Sequence, residues 1–176
     1  WSAASDVYKR QLVGCKQVGA AFEGVRAKVL GQARDLEKLR GEVSEMRAKM
    51  RDNLGTKATA AGTAANAFDA GVPFDIKQDA GGIVDIEFMV QYAALAWSHD
   101  HPAILRWTDN IRILEELEQA NLMPASDAVL LREVYKAFRS ASHRQALQKQ
   151  AGVIDAAQFA DERREVRRIW GELGLT

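Results

Sequence analysis

Residues Phe74 to Gln91 read F-D-I-K-Q-D-A-G-G-I-V-D-I-E-F-M-V-Q, and the change of period inside this stretch decides the fold. Phe74 and Ile76 alternate with Asp75 and Lys77 at period two, which predicts a short strand, whereas Ile83, Ile86 and Val90 recur at helical spacing. Gly81 and Gly82 stand between the two periods. Glycine at such a point permits backbone angles and close approaches that a Cβ would forbid, and the free N–H groups of a helix start suit an anion or a carboxylate. Lys77, Asp85 and Glu87 bring charge to the same junction, which is therefore read as the place where a site is built.

Working outward, the junction helix is expected from about Ile83 to Trp97, with a break at Ser98 to Pro102. Upstream, Val18, Ala21, Phe22, Val25 and Val29 recur at three and four and predict a helix ending near Gly31. Leu36, Leu39, Val43, Met46 and Met50 repeat the pattern, with Arg and Lys assigned to a solvated opposite face. Downstream, Asn110 to Ala120 predicts a helix with Thr108 or Asp109 as its N-cap. Another is expected from Ser126 to about Gln148, and the last begins after Asp155 and closes at Gly171 or Gly174. The fold class is mainly α, a helical bundle with at most one short strand on the N-terminal side of the junction helix.

Four segments follow from this pattern. Residues 1–11 match nothing after them and look like a translated cloning adaptor, so they are left out of fold reasoning. Residues 12–54 form a helical hairpin, 55–72 an Ala-, Thr- and Gly-rich loop, and 73–176 the helical domain carrying the junction. For the 55–72 loop, disorder is preferred to a lid over a nucleotide.

The chain has 176 residues, and its 24 basic and 24 acidic side chains balance. Neutrality argues against a nucleic-acid coat or a membrane-surface protein. No apolar run reaches the ~20 residues that cross a bilayer. Cys15 is the sole cysteine, lacks any internal disulfide partner and is compatible with a reducing cytoplasmic location.

Each charged residue of the junction carries more than one reading. Asp85 and Glu87 leave a regular helix roughly 200° apart and cannot both aim at one metal. Either is also a helix-start acid that interacts favourably with the macrodipole. Glu87 and Gln91 share a face at i, i+4. Lys77 is placed to donate to a phosphate or to pair with Asp75, Asp79 or Glu87. His99, Asp100 and His101 lack further ligands at a recognised spacing and are not assigned a metal. Asp109 or Asn110 can cap a helix while Arg112 reaches an acid or a phosphate; His143 and Arg144 cover an interdomain face or stay solvated.

The junction resembles that of the glutamine synthetase adenylyltransferase family, bifunctional enzymes that attach and remove AMP on a glutamine synthetase tyrosine. The likeness extends to L-R-G-E-V-S-E-M-R-A-K-M-R-D-N-L-G (Leu39 to Gly55), W-T-D-N-I-R-I-L-E (Trp107 to Glu115) and H-R-Q-A-L-Q (His143 to Gln148). It implies a fragment of the C-terminal, adenylylating half, comprising the helical domain beside a nucleotidyltransferase domain. Lys77, Gly81, Gly82, Asp85 and Glu87 are then expected near the nucleotide, with Asp85 and Glu87 orienting groups rather than binding metal. Gln91, Asp109, Asn110, Arg112, His143 and Arg144 become interdomain or substrate-face residues.

Such enzymes use ATP with Mg2+ held by a G-S-x-x-D-x-D element, and no such element occurs between Leu12 and Thr176. The fragment alone is expected to be inactive. Glutamine synthetase, the PII signalling protein and glutamine as effector are the partners the resemblance implies. Two alternatives stay open: the helical domain of a uridylyltransferase of the PII circuit, and a non-enzymatic helical interaction module.

Overall fold

The computed structural model describes residues 15–56 and 67–176; the 1–11 adaptor assignment and the centre of the 55–72 loop lie outside them. Among the described residues six helices and a two-stranded ribbon follow one another: α1 Lys16–Leu30, α2 Leu36–Leu54, β1 Pro73–Asp75, α3 Ile83–Trp97, α4 Asn110–Gln119, α5 Ala125–Leu147, β2 Val153–Asp155 and α6 Ala160–Glu172. Short 3-10 turns at Pro102–Arg106 and Ala156–Phe159 precede α4 and α6. The mainly α class is observed. The second strand was not expected: Val153–Asp155 pairs antiparallel with Pro73–Asp75, Phe74 lying opposite Ile154. Three residues beside Gly152 are too few to show a period, and Ile76 N–H to Gly152 O (3.1 Å) extends the ladder past them.

The chain divides into two compact units. The first holds the residues up to Val43 together with Val90–Val129. Leu30, Leu39, Tyr92, Leu95, Ile104, Ile113, Leu114 and Leu117 are buried in it. Polar anchors fix α1 there. The buried Arg26 guanidinium donates to Leu105 O, and to Trp107 O at 2.9 Å. The Ser98 hydroxyl donates to Leu30 O (2.8 Å), and Arg34 donates to Val29 O (2.7 Å) and Leu30 O (2.6 Å). These bonds satisfy C-terminal carbonyls that a helix leaves open.

The second unit holds Ser44–Met89 and Leu130–Thr176. Phe74, Ile76, Ile86, Met89, Leu131, Phe138, Val166 and Ile169 are buried in it. Phe138 meets Phe74 and Phe159 edge-on, with centroids 6.3 and 5.1 Å apart, so the ribbon's inward face is tied by ring packing to α5 and to the turn before α6. Helix α6 ends as the glycine reading requires: Gly174 has φ +72°, and the Leu175 N–H returns to Trp170 O at 3.2 Å.

Two helix starts bear on the capping readings. Asp109 caps α4 through the Arg112 N–H. Helix α5, in contrast, begins one residue before Ser126, and the Asp127 and Ala128 N–H groups are satisfied by Pro124 O at 3.0 Å each. Ser126 is thus inside the first turn, not the cap.

Asp155 ends β2, accepts from the Ala157 N–H (2.9 Å) and reaches across to the Gly71 N–H (2.8 Å). The Gly71 bond first, then that of Ala157, hold its carboxyl below the ordinary 3.8. A carboxyl depressed in the folded state contributes stability that is present above its unfolded value and lost as pH falls through its folded one. Denaturant midpoints are therefore expected to drop more between about pH 5 and pH 3 for the native chain than for Asp155→Asn.

Candidate functional site

Three aspartates, not the glycines, organise the backbone between β1 and α3. Asp75 Oδ1 accepts from the Lys77 and Gln78 N–H groups (both 2.9 Å), which folds the chain into a turn directly after the strand. Asp79 is fully buried. Its carboxylate accepts from Thr56 N–H (2.7 Å), the Thr56 hydroxyl (2.8 Å) and Asp75 N–H (2.7 Å), joining the end of α2 to the turn. Asp85, 2% exposed, accepts from Gly81 N–H (2.6 Å) and from Arg47 Nε (2.5 Å).

Arg47 is the member that sequence reading assigned to the solvated face, and the structure corrects this: it is 0% exposed. Leu39, Val43 and Arg47 are buried at successive steps of four, whereas Met46, expected in the stripe, is 36% exposed. Continuing the i, i+4 run from Val43 would have pointed to Arg47, but a guanidinium is placed inside only when its counterion is known, and Asp85 lies 38 residues away. Arg47 also donates through Nη2 to Gln78 O (2.7 Å), so one side chain holds both the turn and the helix start.

Arg163 was likewise unforeseen. It is 1% exposed, lies 3.8 Å from the Phe74 ring centroid and 4.8 Å from that of Phe68, and donates to Ala67 O (2.8 Å) and Ala80 O (3.4 Å). Burial pushes its pKa down to about 10, with the Asp79 charge acting in the opposite direction, so it stays cationic at neutral pH. Its backbone is the reason for Gly81, where φ is +81° and a Cβ would sit 2.8 Å from Arg163 O. At Gly82 a Cβ would meet Ile76 O at 2.7 Å and Asp79 O at 2.9 Å.

The N–H groups from Gly81 to Val84, which the sequence offered to an anion, are taken. Gly81 N–H goes to Asp85, Gly82 N–H to Asp79 O, Ile83 N–H to Ile76 O and Val84 N–H to Lys77 O. Glycine serves here for close approach of protein to protein.

Asp85 and Glu87 diverge, as their spacing requires. Glu87 is half-buried and accepts from the Tyr135 hydroxyl (3.2 Å). The Lys77 side chain is exposed. Gln91 is buried and belongs to the other unit, as do Asp109, Asn110 and Arg112. Arg112 stacks on Trp107 at 4.2 Å and lies 3.8 Å from Asp109, the acid of its own turn. His143 and Arg144 are exposed, Arg144 donating to Ser140 Oγ (3.0 Å). His99 Nδ1 lies 3.0 Å from Gly31 O.

Among the described residues no three His, Cys, Asp or Glu side chains gather to hold a metal ion. The buried carboxylates of Asp79 and Asp85 are occupied by protein donors, so these residues do not fit Mg2+.

A helical domain whose strand-to-helix junction is locked from within by a buried ion pair and a second buried arginine is the class that fold and site define. Residues 44–172 match the GlnD PII-uridylyltransferase family, and the chain belongs to that family. Over all 176 residues it is 94% identical to a segment of the bifunctional glutamine synthetase adenylyltransferase/adenylyl-removing enzyme of Pseudomonas putida. It is 69% identical over the same length to the corresponding enzyme of Pseudomonas syringae, and 65% identical over 175 residues to that of Pseudomonas aeruginosa. The chain spans 18% of the length of each of these relatives.

Breaking a buried ion pair from one side costs about 3–5 kcal/mol, because the remaining charge stays buried without its partner. Arg47→Met and Asp85→Leu are each expected to lower unfolding free energy on that scale, and the double variant by clearly less than their sum, measured in a urea-denaturation cycle. Separately, Gly82→Ala is expected to cost roughly 2–4 kcal/mol through backbone overlap. Gly24→Ala, inside α1 and open to space, should be neutral or stabilising by up to about 1 kcal/mol.

Proposed function

We propose that this chain is a segment of an enzyme that transfers AMP from ATP to a tyrosine of glutamine synthetase and, elsewhere in the same polypeptide, removes it. The 94% identity over the whole chain to an enzyme of that name carries the reading. It also favours the adenylyl over the uridylyl branch, although the family description names a PII-uridylyltransferase. The segment is assigned to the C-terminal, adenylylating half.

On this reading the chain forms the helical side of a nucleotide cleft. Arg47, Asp79, Asp85 and Arg163 hold the junction rigid, and rigidity keeps polar groups at a fixed place relative to a reacting phosphate. Lys77 is exposed and Glu87 half-buried, and they are assigned to nucleotide contact, Lys77 donating to phosphate oxygens. Gly81, Gly82 and Asp85 contribute by shaping that wall. Gln91, Asp109, Asn110, Arg112, His143 and Arg144 are assigned to faces toward the catalytic domain or the protein substrate.

Mg2+, when bound, neutralises charge on the phosphates, and its ligands are assigned to polypeptide outside this chain. Glutamine and the PII protein are proposed as effectors, and the cytoplasm as location. Among the described residues no helix is long and apolar enough to cross a membrane, which accords with that location.

The test uses the full-length Pseudomonas putida relative with this segment in place of its own. Incorporation of labelled AMP into glutamine synthetase is expected for the full-length protein and not for the 176-residue chain alone. Lys77→Ala and Glu87→Gln in the full-length protein are expected to lower AMP transfer by about 10-fold or more. Unchanged transfer in both variants would remove the site assignment; absence of transfer by the unaltered chimaera would remove the function.

A further inference from the structure

The stripe that predicts α1 is not the face that α1 buries. On a helical projection Val18, Ala21, Phe22, Val25 and Val29 fall within a sector of about 100° that runs from Ala21 to Phe22, while the buried residues Arg26 and Leu30 lie about 40° and 80° beyond its Phe22 edge. Val18 is 60% and Val25 56% exposed, Ala21 is exposed, and Phe22 and Val29 are only half-buried. No charged residue stands within that sector.

This orientation is fixed. Arg26 is bonded to Leu105 O and Trp107 O, Ser98 to Leu30 O, and Arg34 to the carbonyls of Val29 and Leu30. Rotating α1 to bury its stripe would break these bonds and leave the Arg26 guanidinium without acceptors. Valine is moreover a poorer helix former than alanine, by roughly half a kcal/mol at an exposed site. Val18 and Val25 on a solvent face, flanked by the half-buried Phe22 and Val29, are therefore a pattern that makes sense when something covers it.

We infer that the Val18–Phe22–Val25–Val29 face of α1 is an intramolecular docking surface, covered in the full-length enzyme by an apolar patch of the polypeptide outside this segment. The occupant follows from length and chemistry: the segment is 18% of the Pseudomonas putida relative, so most of that protein is available to cover it, and an uncharged sector selects an apolar partner. The inference rests on the reading that the chain is a segment of such an enzyme.

The experiment measures maleimide labelling of Val25→Cys by peptide mass spectrometry in a Cys15→Ser background, both in the 176-residue chain and in the full-length chimaera. Ala27→Cys, exposed on the opposite side of α1, serves as the reference. The ratio of Val25→Cys to Ala27→Cys labelling is expected to fall at least tenfold in the full-length protein. An unchanged ratio overturns the inference. So does protection already present in the 176-residue chain together with a dimer in sedimentation, because a second copy would then be the occupant. AMP transfer is assayed on the same chimaera: protection without transfer sinks the function and leaves the docking surface standing, and transfer without protection does the reverse.

Discussion

The charge pair between Arg47 and Asp85 is the constraint from which the rest of the second unit is built. A guanidinium and a carboxylate removed from water are each costly, and their mutual attraction together with further hydrogen bonds offsets that cost. Arg47 uses Nε for Asp85 and Nη2 for Gln78 O, and Asp85 uses its second oxygen for the Gly81 N–H. One ion pair therefore fixes three backbone points: the face of α2, the turn after β1 and the first turn of α3. Replacing it with apolar side chains could retain stability but not this geometry, because no methyl group can specify the position of a carbonyl and an amide at once.

Charge at the junction divides between two tasks. Asp75, Asp79 and Asp85 accept from backbone N–H groups and hold an irregular stretch in one arrangement. Lys77 and Glu87 remain accessible, and they stand on a frame that the other acids hold still. Arg163 completes the frame from α6. Its guanidinium, sandwiched against Phe74 and Phe68, holds the carbonyls of Ala67 and Ala80, and its own backbone passes close enough to Gly81 to exclude a side chain there.

Helix existence was legible because it depends on local period. The junction helix runs from Ile83 to Trp97 as the spacing of Ile83, Ile86 and Val90 requires, and Asp109 caps α4 as its side chain permits. What period alone could not show was which side of a helix meets the core when arginines compete for that side. In α2 Arg47 displaces Met46, and in α1 Arg26 displaces Val25, because carbonyl and carboxylate acceptors brought from distant parts of the chain reward burial of the guanidinium. The strand Val153–Asp155 escaped notice for a related reason, since it exists only through pairing with Pro73–Asp75. The roles of the candidate site residues were legible as chemistry but not as geometry: nothing local says that Asp85 looks inward and Glu87 outward.

The ribbon joining β1 to β2 unites residues about 80 positions apart in the chain. Closing so long a loop carries an entropic penalty that must be met before ring packing and ladder bonds return anything. During synthesis Phe74 therefore emerges well before Ile154, its strand partner, and Phe138, its aromatic neighbour. Until those arrive, the strand edge of Phe74 stands without its partner on a nascent polypeptide. The order of translation thus makes the C-terminal helix the latch of the unit, and a ribosome that stalls before Arg163 leaves the junction without its closing clamp.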